Sequence, residues 1–569
     1  MNISQGNTFK YRNELLIIIF SGLLFIPFLG DVHLFDWDEI NFAECAREMI
    51  VSKDYLNVQI NFQPFWEKPP LFIWMQVISM KIFGVNEFAA RFPNALCGIV
   101  SLLAIYRIGK ELKDSSFAIF WVLAYAGSIL PSFYFRSGII DPWFNLFIFC
   151  GIYFFYKAYS ILFSNYLYAF LSGIFIGLAI LTKGPVAFIL FSATIFFYFF
   201  FQVFTFKFRA RKISMNTAQL NLLIQSKFFL NVLAFFISLI LFGGAWFFLQ
   251  IMDGNLKVVI DFVIYQIRLF QTEDAGHGGF FGYHFVTLFL GVLPASIFAI
   301  QNLIKGNKEK SELTEFRLIM VVLFWVVLIL FSIVKTKIIH YSSLAYFPIT
   351  FFASMLIFNM KNKIENWRAW FDWIFLFIGI VFIVVFIGIR YVVTNAKMLA
   401  KSEYIKDEFA KGNLLANVQW TGFEFLIGLI PLIVFLLIRF VYKDNVNKSL
   451  LLFMAFTLFT ATISFVIVPK IEGYSQQAAI NFYISKQKED CYVTTYNFKS
   501  YAHLFYTKKK LPSNRNHYDN EWLMKGNVDK KVYVVCKVQH ILEFETNYQE
   551  FRKFKSSNGF VFYERNLKN

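Results

Sequence analysis

The sequence predicts a mainly α-helical, polytopic membrane protein, in which a bundle of transmembrane helices is followed by a small α/β domain. Of its 569 residues, 57% are hydrophobic and 21% aromatic, whereas only 16% are charged. Apolar runs close to the roughly 20 residues that span a bilayer recur along the chain. The last hundred residues are instead polar. This composition excludes an ordinary soluble domain.

The apolar runs mark about thirteen candidate spans. The first run, Leu15 to Leu29, follows Lys10 and Arg12 as a signal peptide would. It has no evident small-residue cleavage site and more spans follow, so we interpret it as an uncleaved first helix. The candidate spans lie near residues 13–30, 88–108, 116–134, 140–157, 166–182, 185–206, 228–250, 284–303, 317–334, 340–359, 370–390, 422–440 and 449–468.

Lysine and arginine placement predicts the orientation of these spans. With the N-terminus in the cytoplasm, the basic clusters fall in short inside loops, as the positive-inside rule expects. The outer loops, near residues 31–87, 251–283 and 391–421, are then long. The net charge of +17 is therefore assigned to cytoplasmic loops and does not indicate a nucleic-acid partner.

Composition divides the chain into a membrane domain, residues 1–469, and an outer α/β domain, residues 470–569. An odd number of spans places the second domain outside.

The five cysteines show no paired Cys-x-x-Cys spacing. Cys491 and Cys536 fall in two predicted strands. They could form a disulfide in an oxidising compartment, and two buried free thiols are the alternative. Strands are predicted at Cys491–Tyr496, Lys531–Lys537 and Gly559–Glu564, and helices near 474–487 and 538–552.

Carboxylates open the first predicted outer loop. Acids near lipid are costly and usually serve chemistry or transport. The apolar positions of residues 38–50 repeat at close to a helical period, which predicts an interfacial amphipathic helix. Asp38 then either caps this helix or acts as a general base that takes a proton from an attacking hydroxyl. Asp36 and Asp38 also form an Asp-x-Asp pair, a weak pattern for a divalent cation.

Cations collect on the same predicted face. Lys68 precedes Pro69 and Pro70, and the stiff turn limits where its ammonium can move. A fixed ammonium at a membrane surface suits a lipid phosphate, and Arg268 offers a forked guanidinium for the same task. Ordinary headgroup contact is the alternative for each. The other polar candidates on this face are Glu39, Glu44, Asp141, Lys183, Lys335, His340 and Tyr341.

His277 lies in the glycine-rich stretch from Glu273 to Gly279, which is typical of a mobile lid. Glu273, Asp274, His277 and His284 carry metal-ligand atoms, but their spacing matches no standard site. A solvated flexible loop is the alternative interpretation.

Taken together, these motifs resemble the polytopic glycosyltransferases of the GT-C fold, the superfamily of dolichyl-phosphate-mannose-protein mannosyltransferases and ArnT-like aminoarabinose lipid A transferases. The resemblance covers about residues 10–350, and its first two motifs are the most specific. The trailing outer domain is also similar in kind to that of the aminoarabinose transferases. The motifs are Trp37-Asp-Glu-x-x-Phe-Ala-Glu44 with Ala46-Arg-Glu-Met49, Lys68-Pro-Pro70, the segment around Asp141, Leu181-Thr-Lys-Gly184 and Lys335-x-Lys-x-x-His-Tyr341.

The resemblance implies an inverting hexosyl- or pentosyltransferase of the bacterial inner membrane. A sugar would move from a polyprenyl phosphate to an acceptor hydroxyl on lipid A, a glycan or a protein, outside the cytoplasmic membrane. Asp38 would be the base, and Lys68 would hold the donor phosphate with help from Arg268 and Lys183. Glu39 and Asp141 would support the site or orient the acceptor. No cofactor is required in the family, which makes a divalent metal the minor alternative.

One departure stands out. The family often has Arg-Tyr after Asp-Glu-x, whereas this chain has Asn41-Phe42. Either another basic residue replaces the missing cation or the donor differs.

The competing functions are a transporter or flippase of lipid-linked sugars and a non-catalytic scaffold. Transporters place ionisable groups at the bilayer midplane between repeated halves, whereas the charges here cluster at one face.

Overall fold

The computed structural model describes residues 11–159, 165–209, 218–272, 278–304 and 312–567. Helices dominate, and the few strands form a two-stranded hairpin and a four-stranded sheet. The helices of the first half are α1 (Arg12–Phe25), α2 (Asp38–Ser52), α3 (Leu71–Phe83), α4 (Glu87–Leu112), α5 (Ser115–Ala126), α6 (Ile129–Phe133), α7 (Asp141–Tyr159), α8 (Tyr166–Lys183), α9 (Val186–Arg209), α10 (Ala218–Gly243), α11 (Ala245–Met252) and α12 (Leu256–Gln271).

The second half continues the bundle and then changes to mixed structure. Short 3-10 helices cover Tyr134–Arg136, Ile339–Ala345, Glu424–Gly428, Arg515–Tyr518 and Val538–His540, and a π-helix covers Ile463–Ile467. The remaining α-helices are α13 (Tyr283–Gly291), α14 (Ala295–Ile304), α15 (Glu312–Ile333), α16 (Tyr346–Lys361), α17 (Ala369–Thr394), α18 (Ala396–Ala400), α19 (Glu408–Leu414), α20 (Leu429–Phe440), α21 (Asn445–Thr462), α22 (Val468–Ser475), α23 (Gln477–Ser485), α24 (Ala502–Thr507), α25 (Asn520–Lys525) and α26 (Ile541–Asn547).

Several predicted spans are broken or shortened. Among the described residues, six helices are long and apolar enough to cross a membrane, or nine if each sharply bent pair is one span. The bends follow sequence signals: α5 and α6 meet at 82° beside Gly127, and α13 and α14 meet at 118° beside Pro294. Glycine and proline release the helical hydrogen bonds at these points. The number of spans stays a prediction, but the unbroken helices predicted over 116–134, 228–250 and 284–303 are wrong, because α10 and α11 also meet at 49°.

The predicted outer loops contain more structure than their polarity suggested. The first loop holds α2, as its period predicted, and also α3, which was not predicted. A hairpin joins them, with β1 (Gln59–Ile60) antiparallel to β2 (Gln63–Pro64). The predicted loop near 251–283 contains α12, an amphipathic helix, and the loop near 391–421 contains α18 and α19.

The C-terminal sheet consists of β3 (Cys491–Tyr496), β4 (Lys531–Lys537), β5 (Arg552–Ser557) and β6 (Phe560–Arg565), in the order β3-β4-β6-β5. Strands β3 and β4 are parallel, and the other two pairs are antiparallel. β3 and β4 match the sequence prediction, β6 is shifted by one residue, and β5 was not predicted. Helix α22 runs through the predicted domain boundary after residue 469, and the boundary itself stays a prediction.

The two faces of this sheet are buried against different partners. Alternation along β4 sends Tyr533 and Val535 into a core shared with α2 and α3, whereas Val532 and Val534 enter a core within the C-terminal region. The residues that α2 contributes to the shared core include Ile40, Phe42 and Met49. The α/β region is therefore packed directly onto the helix that carries Asp38.

The cysteines are free, so the alternative of two buried thiols is the correct one. Cys491 pairs with Lys531 and Cys536 with Tyr496 in the register of β3 and β4. The two cysteines lie at opposite ends of the paired strands, roughly five residues of strand apart, and this exceeds the span of a disulfide.

Glycines allow α8 and α10 to approach closely. Gly173 and Gly177 of α8 form a Gly-x-x-x-Gly pattern, which favours close packing of membrane helices. A Cβ atom on Gly177 would lie 2.7 Å from the backbone nitrogen of Gly243, and one on Gly173 would clash with Phe235 and Ser238. No side chain fits between the helices at these points.

We therefore expect Gly177→Leu to destabilise the bundle by about 1–3 kcal/mol, because the helices must separate. Gly388→Leu is the matched control, since a Cβ atom at this position in α17 meets no atom within 4 Å. Thermal unfolding of the purified protein measures the difference. Equal midpoints for the two variants would contradict this packing.

Candidate active site

A cavity of about 580 Å³ opens between the first-loop helix α2 and the ends of several membrane helices. It brings together most of the residues that the sequence singled out. Its polar lining consists of Asp36, Trp37, Asp38, Glu39, Asn41, Glu67, Lys68, Arg91, Tyr134, Arg136, Ser137, Asp141, Lys183, Tyr265, His340, Tyr341, Tyr346 and Ser464.

Helix ends place the charged groups in this cavity. Asp38 and Asp141 are the first residues of α2 and α7, and Lys183 is the last residue of α8. The partial charges of a helix favour acids at its start and bases at its end. Each charge therefore sits where its own helix stabilises it.

His340 lies between the two aspartates. Its Nε2 is 3.3 Å from Asp38 Oδ2 and 3.5 Å from Asp141 Oδ2. Lys183 Nζ is 2.5 Å from the other oxygen of Asp141 and also lies 4.6 Å from the ring of Tyr341. The side chains of Asp38, His340, Asp141 and Lys183 thus form one continuous chain in which acidic and basic groups alternate.

The short helix that carries His340 is fixed from two sides. Asn145 of α7 donates to Ser343 Oγ at 2.7 Å, and Ser343 in turn donates to the backbone oxygen of His340. Lys337 closes the end of the preceding helix α15 by donating to the backbone oxygens of Phe331, Ser332 and Val334. These bonds hold the backbone on either side of His340 in place.

The protonation of Asp38 reflects this environment. Burial acts to raise its pKa, but the hydrogen bond and charge of His340, together with Lys68 and Lys183, outweigh it and lower the pKa below its ordinary value. The carboxylate is therefore ionised at neutral pH and able to accept a proton.

Lys68 occupies the other side of the cavity. Its Nζ lies 5.2 Å from the ring centre of Tyr265. Burial lowers the pKa of Lys68, although Glu67 and Asp38 oppose that shift. A poorly solvated ammonium gains more from meeting an anion than a fully hydrated one does. The arrangement suits a phosphate that enters the cavity.

Glu39 has a different environment from Asp38. Arg91 donates to its two oxygens at 2.9 and 2.8 Å, and the backbone nitrogens of Phe35 and Gly138 donate at 2.8 and 2.5 Å. Burial acts to raise the pKa of Glu39, but Arg91 and these backbone donors lower it. Since all its oxygens are engaged, Glu39 holds the wall of the cavity together.

Arg91 is a residue that the sequence reasoning missed. Beyond Glu39, it donates to the backbone oxygens of Leu29, Val32 and His33, which lead into α2. A charged residue inside an otherwise apolar span was the available signal, because such residues are retained for a specific partner.

The remaining predicted residues lie apart from the aspartates. Glu44 is buried against Arg47, with oxygens 2.6 and 2.7 Å from the guanidinium, and does not line the cavity. Arg268 is exposed and lies 5.1 Å from the ring of Tyr265. Lys335 is exposed in a separate open depression beside Lys337. His277 lies outside the described residues.

The Asp-x-Asp pair does not act as a unit. The Asp36 carboxylate is hydrogen-bonded to Ser500 and the backbone of Tyr501, whereas Asp38 contacts His340.

Arg136 is a candidate replacement for the arginine that the family often has where this chain has Asn41. It lines the cavity and donates to the backbone oxygens of Leu24 and Pro27.

Known proteins show the same fold and related sequences. A family profile described as dolichyl-phosphate-mannose-protein mannosyltransferase matches residues 67–230. The undecaprenyl phosphate-alpha-4-amino-4-deoxy-L-arabinose arabinosyl transferase of Wigglesworthia glossinidia brevipalpis is 26% identical over 369 residues, which are 62% of this chain and 60% of that protein. The protein of the same name from Photorhabdus laumondii is 24% identical over 403 residues, 69% of this chain and 68% of that protein.

Solved structures extend the likeness to nearly the whole chain. ArnT from Cupriavidus metallidurans, bound to undecaprenyl phosphate, superimposes with a TM-score of 0.70 at 16% identity and covers 98% of both chains. The oligosaccharyltransferase of Archaeoglobus fulgidus follows with a TM-score of 0.51 at 12% identity, covering 94% of this chain and 71% of that chain. At such identities the superposition establishes the fold alone.

The family profile, the sequence relatives and the fold support a multi-pass membrane protein that resembles the glycosyltransferases of the GT-C type. Its sequence relatives include proteins named as arabinosyl transferases, and ArnT is among the solved structures that share its fold. The resemblance and the fold class predicted from the motifs are confirmed.

The ion pair between Glu39 and Arg91 allows a direct test of how the cavity wall is held. Arg91→Met should destabilise the protein by about 3–5 kcal/mol, because it leaves a buried carboxylate without its partner. The double variant Glu39→Gln with Arg91→Met should recover part of that loss, because no uncompensated charge remains. Thermal unfolding of the purified variants measures both, and equal stability of Arg91→Met and wild type would contradict the assignment.

Proposed function

We propose that this protein transfers a sugar from a polyprenyl-phosphate donor to an acceptor hydroxyl, with inversion, at the outer face of a bacterial inner membrane. The acceptor would be lipid A, a glycan or a protein. The observation that carries the proposal is the chain of Asp38, His340, Asp141 and Lys183 in one cavity that also contains Lys68. The undecaprenyl phosphate bound to ArnT of Cupriavidus metallidurans suggests the class of carrier.

In the proposed reaction the acceptor hydroxyl lies beside Asp38. As its oxygen attacks the anomeric carbon, its proton passes to the Asp38 carboxylate. The bond from that carbon to the phosphate oxygen breaks on the opposite face, and the electron pair leaves with the polyprenyl phosphate. Attack from one face and departure from the other invert the configuration.

Lys68 would stabilise the departing phosphate. The bond-breaking step concentrates negative charge on the phosphate oxygens, and a positioned ammonium in a partly desolvated cavity lowers the energy of that state. Asp141 and Lys183 neutralise each other, so we assign them the role of holding His340. Arg268, which lies 5.1 Å from the ring centre of Tyr265, would meet the donor lipid outside the cavity.

The orientation in the membrane is also proposed. Placing the basic loops inside puts the first loop, the cavity and the C-terminal sheet on the outer side, since these elements share one core. That side is where a lipid-linked sugar meets acceptors of the cell envelope.

Asp38→Asn should abolish transfer, with a loss of at least about 100-fold, because an amide cannot take the proton. Asp253→Asn, which changes an exposed aspartate outside the cavity, is the matched control. Mass spectrometry of lipid A, surface glycans and exported proteins from cells carrying each variant gives the readout. A sugar modification that survives in Asp38→Asn cells but is lost on deletion would exclude Asp38 as the base.

His340→Gln should move the acid limb of the pH profile of kcat/KM to higher pH. His340 contributes the first of the interactions that lower the pKa of Asp38, so its removal lets that pKa rise and the carboxylate protonates at higher pH. His540→Gln, in the C-terminal region beside Glu543, serves as the control. An unshifted limb in His340→Gln would show that the titrating group is not the Asp38 carboxylate beside this imidazole.

Chelation should leave the reaction rate unchanged, because Lys68 supplies the countercharge that a metal would otherwise provide. The measurement is the transfer rate of purified protein after EDTA treatment, with and without added Mg²⁺ or Mn²⁺. A loss restored by either metal would favour the Asp-x-Asp alternative.

A further inference from the structure

A buried cluster of charged residues lies in α2, farther along the helix than Asp38. It consists of Glu44, Arg47 and Glu48, and the proposed reaction gives none of them a role. Arg47 donates to both oxygens of Glu44 and to the backbone oxygen of Lys509 in the C-terminal region. Glu44 and Arg47 therefore satisfy each other, and Glu48 needs a separate explanation.

Glu48 holds the tip of the first-loop hairpin. Its Oε2 accepts a hydrogen bond from the backbone nitrogen of Phe62 at 2.7 Å. Asn61 and Phe62 form the two-residue turn between β1 and β2, and their φ angles are 55° and 53°. Turns of this kind favour glycine at the second position, so a phenylalanine is strained there. The bond to Glu48 stabilises a turn that its own residues disfavour.

Glu48 makes this bond as a neutral carboxyl group. Burial, followed by the charge and hydrogen bond of Glu44, raises the pKa of Glu48 well above its ordinary value, although Phe62 and Arg47 oppose the shift. The group is therefore protonated at neutral pH, with an oxygen that accepts from Phe62 and a proton available to Glu44. A glutamine side chain offers the same acceptor and a donor in place of the proton.

The hairpin returns the chain from Glu48 to the cavity. Phe62 and Lys68 are six residues apart, which is at most about 20 Å of extended chain. Glu48 lies ten residues after Asp38 in α2, or about 15 Å along the helix axis. Lys68 lines the cavity with Asp38, and its charge acts on the Asp38 carboxylate. The returning segment has little slack, so a displaced tip also displaces Lys68.

We propose that Glu48 is a positioning residue, which sets the place of Lys68 relative to Asp38 by holding the hairpin tip at Phe62. The inference rests on the proposed function, in which Lys68 meets the donor phosphate. One helix then carries the base at its first residue and fixes the phosphate-binding lysine from near its other end. The separation of the two groups is set by α2 and not by the membrane helices alone.

A double-mutant cycle tests whether Glu48 acts through Lys68. The full-length variants are Glu48→Met, Lys68→Met and the two changes together, each in phosphatidylcholine nanodiscs. Native mass spectrometry gives their affinities for undecaprenyl phosphate and for undecaprenol, which has the same chain without the phosphate. The ratio of the two affinities reports on phosphate binding and cancels any general loss of lipid binding.

Two controls accompany the cycle. Glu48→Gln keeps an oxygen that can accept from Phe62. Glu424→Met removes another buried carboxylate, which accepts from the backbone nitrogens of Thr421 and Gly422 at 2.8 and 2.9 Å. Glu424 does not line the cavity, so this variant measures the effect of losing a buried backbone acceptor elsewhere in the protein.

We expect the wild type to prefer undecaprenyl phosphate, and Glu48→Met to lose about 10-fold of that preference, because the displaced Lys68 no longer meets the phosphate. Glu48→Gln and Glu424→Met should keep the preference of the wild type. In the Lys68→Met background, the change at Glu48 should have no further effect, because the group through which it acts is already absent.

An additional loss of preference in the double variant would overturn the proposal, as would a loss in Glu48→Gln equal to that in Glu48→Met. A Glu48→Met protein that keeps the full preference would contradict it directly. If Glu48→Met does not fold, Glu48→Asp replaces it in the same cycle with the same expected outcome, since its shorter side chain withdraws the acceptor from Phe62.

The outcomes also separate this proposal from the proposed function. Additive losses in the cycle would remove the positioning role and leave the transfer reaction standing. Equal binding of the two lipids by the wild type would exclude both. A non-additive cycle in a protein that transfers no sugar to any acceptor would overturn the proposed function alone.

Discussion

The buried pair of Glu39 and Arg91 is the interaction on which the geometry of the cavity depends. It joins the start of α2 to α4, to the loop before α2 through three backbone oxygens, and to Gly138 before α7. Buried ion pairs add little net stability, but their strict geometric demands select one arrangement of the chain. Asp38 and Asp141 each lie within three residues of a group in this network, so its geometry sets their separation.

Sequence patterns were sufficient to predict which residues share the cavity, because these residues lie where short motifs meet helix ends. Asp38, Lys68, Asp141, Lys183 and His340 come from five separate stretches, yet all line one cavity. Lipid allows little choice of position for a charge, since a charge is tolerated at a helix end or beside a partner. Topology inferred from loop charge therefore predicted which residues would be neighbours.

Other features were outside the reach of a single sequence. The bends beside Gly127 and Pro294 depend on what packs against the freed backbone groups, which hydropathy does not report. The role of Arg91 depends on the Glu39 carboxylate, more than fifty residues away in the chain. Local periodicity has no information about pairs so distant. Secondary structure was easiest to predict from the sequence where β-branched and aromatic residues predominate, as in β4.

The core shared by α2 and the C-terminal sheet has a consequence for biosynthesis. Chains emerge from the ribosome N-terminus first, so α2 is made well before Val535 and Phe562, which pack on the same core. Until then the apolar side of α2 has only part of its partners. The nascent protein therefore cannot complete the surroundings of Asp38 until the strands of the C-terminal sheet have been made.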